Sequence, residues 1–261
     1  MELPMSIYHL SVKVVSRSRG RSATGAVAYR AGERIQDERT GIVHDYRRRR
    51  GVLHTELVLP LGVAMTREEL WNGAELAETR KNSTTAREYE IALPAELSTE
   101  QRIELAVVFG YRLMLRYGVA ADVCVHAPGQ GGDQRNYHAH ILTTTRTLGP
   151  DGFGKKTRVL DDRKSGEIKY IREMYAEMVN AALERAGVEA RVDHRRLEAQ
   201  GIERAATQHM GPAATHMERR GQRTRIGAHN RAILQEAKRT AVPQATEVVA
   251  DQEDEGCAPR P

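Results

Sequence analysis

The sequence predicts an α/β fold of the α+β kind, an open, mostly antiparallel sheet with helices on one face. Three observations predict it. Short alternating segments are interleaved with amphipathic ones. Two of the alternating segments, 122–127 and 137–145, are joined by the Gly-rich loop 128–136, which suits a hairpin rather than a crossover. In three strands one side is continuously apolar (Tyr89/Ile91/Leu93, Val123/Val125, Ala139/Ile141), while the other carries Glu88, Glu90, Asp122, His126, His138 and His140. One sheet face is therefore expected to be core and the other a polar working surface.

The elements follow in order. Residues 6–15 (SIYHLSVKVV) alternate as a strand. Residues 16–21 form a basic loop, and Ser22 can cap a helix running to Ala31. Thr40-Gly41 marks a turn before a short strand at 42–46, and 53–59 forms another strand that Pro60 ends. Thr66 and Glu69 have the spacing of a capping box, opening a helix to about Arg80. Residues 87–93 (REYEIAL) alternate. Ser98 and Gln101 form a second capping box, whose helix stops at Gly118. Residues 168–186 are amphipathic, with Gly187 as their stop. Beyond 190 periodicity weakens, and from Pro243 the composition is that of a disordered tail, with an acidic run at 251–255.

Of the 261 residues 40% are hydrophobic and 29% charged, a globular average for one sizeable domain plus a tail. Residues 13–50 hold eleven Lys/Arg against four Asp/Glu, and 191–239 hold eleven against five. Residues 51–190 hold seventeen against twenty. Two basic ends thus flank a near-neutral middle, an arrangement that can line a groove for a polyanion or form ordinary solvated surface. Cys124 and Cys257 lack CxxC spacing, which argues against a disulfide framework or a thiolate zinc site. No apolar run reaches membrane-spanning length and the start lacks a signal-peptide pattern, so a cytoplasmic setting without membrane insertion is expected.

His138-Ala139-His140 is the strongest local chemical signal. In a strand, residues two apart project to one side about 7 Å apart, so both imidazoles can reach one ion. His126 stands one hairpin away and in phase, across the loop holding Gly129, Gly131 and Gly132. Three imidazoles leave coordination positions open, as in a catalytic site; a hydrogen-bonded histidine cluster is the competing interpretation. Tyr29 follows the basic loop on the first helix. Its phenol can serve as an activated nucleophile, though a helix tyrosine by itself is more often a packing residue. Glu88 and Glu90 are candidates for a base, for orienting a histidine, or for plain exposed carboxylates. Arg17, Arg19 and Arg21, with Arg47, Arg48, Arg49 and Arg50, are candidates for gripping phosphates.

These pieces, in this order, resemble the MobA/MobL family of plasmid mobilisation relaxases, members of the single-strand endonucleases named for a His-hydrophobic-His motif. SIYHLSVKVVSRSRGRSATGAVAYR is similar to the family's first motif, ending at the nucleophile position, Tyr29. REYEIALPAELS is similar to the acidic second motif, at Glu88 and Glu90. VHAPGQGGDQRNYHAHILTTTR is similar to the third, whose metal-binding histidines fall on His126, His138 and His140. LERAGVEARVDHRRLEAQGIER, followed by HMGP from His209, is similar to the end of the relaxase domain.

The resemblance implies a relaxase domain over residues 1–221 and a basic, then acidic, partly disordered tail over 222–261. It implies Mg or Mn as the cofactor. The implied activity is nicking one strand at a plasmid transfer origin through a 5′-phosphotyrosyl intermediate, then rejoining it. The implied partners are single-stranded origin DNA with an adjacent hairpin or duplex, relaxosome accessory proteins and a type IV secretion coupling protein. The alternatives are a rolling-circle replication initiator using the same chemistry and a non-catalytic DNA-binding regulator. Many relatives carry a helicase or primase after this domain. The four residues before Met5 have the look of an extension, making Met5 an alternative start.

Overall fold

The computed structural model describes residues 8–129, 133–162, 164–203, 205, 207–208 and 210–241. Met5, Gly131, Gly132, His209 and the acidic run at 251–255 lie outside these described residues. The chain divides into two compact units, Met1–His194 and Arg195–Pro261.

The first unit is built on a five-stranded antiparallel sheet. Its strands are β1 (Leu10–Ser16), β4 (Val52–Val58), β5 (Thr84–Ala92), β6 (Ala121–His126) and β7 (His138–Thr144), ordered β1-β5-β7-β6-β4. Two ribbons flank it: β2 (Arg34–Gln36) with β3 (Val43–Asp45), and β8 (Arg146–Gly149) with β9 (Gly152–Lys156). The helices are α1 (Ala23–Ala31), α2 (Arg67–Leu76), α3 (Thr99–Tyr117) and α4 (Glu167–Arg185). The capping signals act as expected: Ser22 accepts from the Gly25 amide, and both capping boxes close, at Thr66/Glu69 and Ser98/Gln101. Gly118 ends α3 in the left-handed region, at φ 65°.

The expected apolar side is the main core. Tyr89, Ile91, Leu93, Val123, Val125, Ala139 and Ile141 pack there with Phe109 and Leu113 of α3 and Tyr175 and Val179 of α4. Helix α3 approaches the sheet closely at Gly110, where a Cβ would stand 2.8 Å from Val123 Cγ2. We expect Gly110→Ala to destabilise by about 1–3 kcal/mol through overpacking. A lowered denaturant midpoint at constant slope would register this, and an unchanged midpoint would contradict the packing.

The open antiparallel sheet is as the sequence predicts, but two expectations are corrected: the helices do not all lie on one face, and the second face is not wholly polar. Helices α1 and α2 cover part of that face with a second core: Val27, Ala28, Leu70, Trp71 and Ala74 against Ala86 and Leu142. Asp122 belongs to this covered part and not to a working surface. It is fully buried, accepting from Arg67 Nε at 2.8 Å and Trp71 Nε1 at 2.9 Å. Only the end of the face bearing the histidines and Glu90 stays open. The strand β2 and the β8–β9 ribbon were not predicted: β2 has one apolar residue, Ile35, and the ribbon is rich in Gly and Lys.

In the second unit, α5 (Gly211–Arg219) and α6 (Arg225–Ala241) are joined through Glu218, which accepts from Thr224 and Arg231. Helix α6 thus lies within the stretch expected as a tail.

Candidate active site

The β6–β7 pairing sets His126 directly opposite His138, and His140 opposite Cys124. All three histidines share the open end of the second sheet face. Their ring centroids are 5.1–5.3 Å apart, and one nitrogen from each lies within 4.8 Å of the others.

Each ring has its second nitrogen engaged. His140 Nδ1 lies 2.6 Å from Glu88 Oε1, and His138 Nδ1 lies 3.0 Å from the Asn136 carbonyl. His126 Nε2 donates to the Arg30 carbonyl at 2.7 Å. These partners fix tautomer and ring orientation, leaving Nε2 of His138 and His140 and Nδ1 of His126 as lone-pair donors. Burial, reinforced by the neighbouring His140 and Arg49, lowers the His126 pKa to about 3 despite its hydrogen bond to Arg30. Burial lowers that of His138 too. Both are therefore neutral near pH 7, the state a metal ligand requires. The donor set fits a divalent ion.

Glu88 is buried beneath this centre and orients it. Burial alone would raise its pKa, but hydrogen bonds from His140 and Arg30 outweigh that and bring it to about 2. His140 at 2.6 Å and Arg30 Nε at 2.5 Å share the same Oε1, so that oxygen is committed to holding its neighbours. Glu90 stands opposite His140 in register, half-exposed and ion-paired with Lys13.

Tyr29 sits in the last turn of α1, 48% exposed. The residue after it ties this helix end to the histidines twice: the Arg30 carbonyl receives His126, and the Arg30 guanidinium holds Glu88. Arg49 lies over the Tyr29 ring, 3.8 Å from its centroid. Its Nη1 donates to the Tyr29 carbonyl at 2.8 Å, and its Nη2 lies 3.4 Å from His126 Nδ1. Tyr46 meets the Tyr29 ring edge-on at 5.2 Å. A cleft of about 370 Å³ opens beside them, lined by Arg21, Gly25, Ala26, Tyr29, His44 and Tyr46.

The arginines expected to grip phosphates have separate fates. Arg17 is corrected to a structural role. Its guanidinium pairs with the buried Glu75 at 2.8 Å and also donates to the Glu75 and Glu78 carbonyls. A buried carboxylate needs such a partner, so this cation is not available to DNA. Arg47 pairs with Asp45 at 2.7 Å on the surface. Arg19, Arg21, Arg48 and Arg50 are exposed, while Arg49 turns inward. Arg30, Arg49's inward turn, His44 and Tyr46 were not singled out from the sequence; for Arg30, adjacency to Tyr29 was the one available signal.

Among the described residues no helix is long and apolar enough to cross a membrane. The overall fold is the relaxase fold. It matches the conjugative relaxase TrwC, solved metal-bound in complex with oriT DNA, with a TM-score of 0.50 at 12% identity. That likeness covers 88% of this chain and 99% of that one. A chain from a structure on the molecular basis of vancomycin resistance transfer in Staphylococcus aureus is more similar. It has 30% identity and a TM-score of 0.66, covering 73% of this chain and 100% of that one.

The chain belongs to the MobA/MobL family, whose model matches residues 21–220. Mobilization protein MobL of Acidithiobacillus ferridurans is 48% identical over 244 residues, covering 83% of this chain. The chain spans 65% of that relative's length and as little as 22% of others it matches.

Proposed function

We propose that this chain nicks one DNA strand at a plasmid transfer origin and rejoins it, with Tyr29 as the nucleophile. The observation that carries this reading is the double tie of Arg30, which joins the tyrosine-bearing end of α1 to His126 and, through Glu88, to His140. An exposed phenol is thereby held beside a centre able to take a divalent ion.

His126, His138 and His140 would hold that ion. As Mg or Mn it would supply Lewis-acid polarisation of a non-bridging phosphate oxygen. Tyr29 Oη attacks phosphorus, forming the O–P bond as the P–O3′ bond breaks. The phenol loses its proton and O3′ gains one, leaving a 3′-hydroxyl and a 5′-phosphotyrosyl strand. Reversal rejoins the strand, because the ester conserves the energy of the broken bond. Glu88 orients His140 rather than serving as base, since its acceptor oxygen is engaged by two donors. Imidazole ligands favour Mn over Mg by softness. We take residues 1–221 as the nicking unit and the cytoplasm, where plasmid DNA lies, as its setting.

The reading is tested with labelled single strands carrying the transfer origin of the encoding plasmid, incubated with the chain and Mn. A covalent adduct on a denaturing gel, mapped to Tyr29 by mass spectrometry, is the expected result. Mapping to Tyr8, Tyr46 or another tyrosine would overturn it.

The exposed arginines carry a separate expectation. If Arg48 and Arg50 contact phosphates, neutralising both should flatten the slope of log affinity against log salt by about 1.4, at about 0.7 per single-strand contact. An unchanged slope would show that both are merely solvated.

A further inference from the structure

Arg49 comes from a run of four arginines, yet it alone of the four turns inward. Three contacts define its place. The guanidinium stacks on the Tyr29 ring at 3.8 Å. It donates to the Tyr29 carbonyl at 2.8 Å. It reaches His126 Nδ1 at 3.4 Å. The cation thus touches both the proposed nucleophile and one of the three histidines.

Its charge is uncompensated. Several inward-turned arginines of this unit have a carboxylate: Arg17 has Glu75, Arg30 has Glu88, Arg67 has Asp122, and Arg87 has Asp161. Arg102, which has none, is buried against the Ser98 and Leu97 carbonyls and the Tyr137 ring and touches no histidine of the centre. Among the described residues no acidic side chain pairs with Arg49. A partly desolvated cation without an anion is costly to hold, so its position suits an anion that arrives with the substrate. An attacked phosphate must lie within reach of Tyr29 Oη and of the histidine centre at once. Arg49 spans those two places.

We infer that Arg49 is a catalytic residue, donating to the non-bridging oxygens of the scissile phosphate and stabilising the charge that accumulates on them as Tyr29 attacks. This rests on the proposed nicking function. The His126 contact shows how the donor would be released. His126 Nδ1 presents a lone pair to Arg49 because Nε2–H is given to Arg30. Once that lone pair is used by an ion, the Arg49 N–H needs another acceptor, and the phosphate oxygen is the one at hand. A guanidinium suits this task better than an ammonium, because its planar fork addresses two oxygens while stacking on an aromatic face. Arg47, Arg48 and Arg50 lack this placement, so their part is limited to affinity.

The experiment uses the full chain, Mn and a labelled origin strand, comparing wild type with Arg49→Ala, Arg49→Lys and Arg112→Ala. Single-turnover cleavage at saturating DNA should fall about 100-fold or more in Arg49→Ala, the scale of losing a transition-state donor. DNA affinity by anisotropy and Mn affinity by calorimetry should each stay within about threefold, since most affinity comes from other phosphate contacts. Added guanidinium ion should raise the Arg49→Ala rate while leaving wild type unchanged. Arg49→Lys should fall between the two, and Arg112→Ala, at an exposed arginine of α3, should cleave at the wild-type rate.

A rate that is unchanged at saturation, or that falls only in step with DNA or Mn affinity, would overturn the inference. Absence of guanidinium rescue in a folded Arg49→Ala would do so too; should that variant unfold, Arg49→Lys and Arg49→Gln carry the same comparison. If wild type itself forms no tyrosyl adduct, the nicking function fails rather than the role of Arg49.

Discussion

Tyr29→Phe should bind origin single strands with near wild-type affinity and form no covalent adduct. Only the hydroxyl is removed. The ring keeps its stacking with Arg49 and its edge contact with Tyr46, so the end of α1 has no reason to move. Tyr29 is 48% exposed and belongs to neither core cluster, so thermal stability should change by less than about 0.5 kcal/mol, the usual range for surface substitutions. A structural tyrosine would behave oppositely, losing stability while the activity per folded molecule survived. Residual cleavage above about one per cent of wild type would show that another hydroxyl or water can attack. That outcome would move the nucleophile elsewhere, and the two-fold tie made by Arg30 would then need a different explanation.

Replacing any one of His126, His138 and His140 by Ala should reduce cleavage by more than about 100-fold, beyond what losing a supporting hydrogen bond near a metal typically costs. High Mn should restore part of the activity by mass action. The three variants should nevertheless differ. His138 is half-buried and its second nitrogen reaches only the Asn136 carbonyl of its own loop, so His138→Ala is the cleanest probe of metal affinity. His126 is buried and donates to the Arg30 carbonyl, so His126→Ala also deprives that acceptor, at a cost of about 1–3 kcal/mol. His126→Ala should therefore lower the melting temperature as well, and Mn should rescue it less completely. Calorimetric titration with Mn separates these effects. Equal Mn affinity in wild type and all three variants would end the three-histidine metal centre and leave a hydrogen-bonded cluster in its place.

The histidines were readable because they follow a strand period. His138 and His140 are two apart, and a hairpin brings His126 opposite them, so alternation and one short loop suffice to assemble the triad. The caps at Ser22, Thr66 and Ser98 were readable for the same reason: their partners lie three residues away. Tyr29 was legible as a residue on a helix, but what stands around it was not.

By itself, the sequence determined the antiparallel sheet, the apolar side of β5, β6 and β7, the capped helices and the membership of the histidine triad. All of these rest on periodicity or on partners within one hairpin. Only the tertiary structure decided which charges are spent and which are free. Arg17 is consumed by Glu75, 58 residues away, and Arg30 meets Glu88 across the same separation. His126 finds the Arg30 carbonyl 96 residues away. A guanidinium on a flexible stem has no period and no preferred neighbour in the chain. Its partner is set by which carboxylate or carbonyl the packing of α1 and α2 against the sheet brings within about 3 Å, the reach of a hydrogen bond. Seven arginines that look alike in sequence thus become a partly buried strut, a surface pair, exposed cations and, at Arg49, a charge left facing the tyrosine.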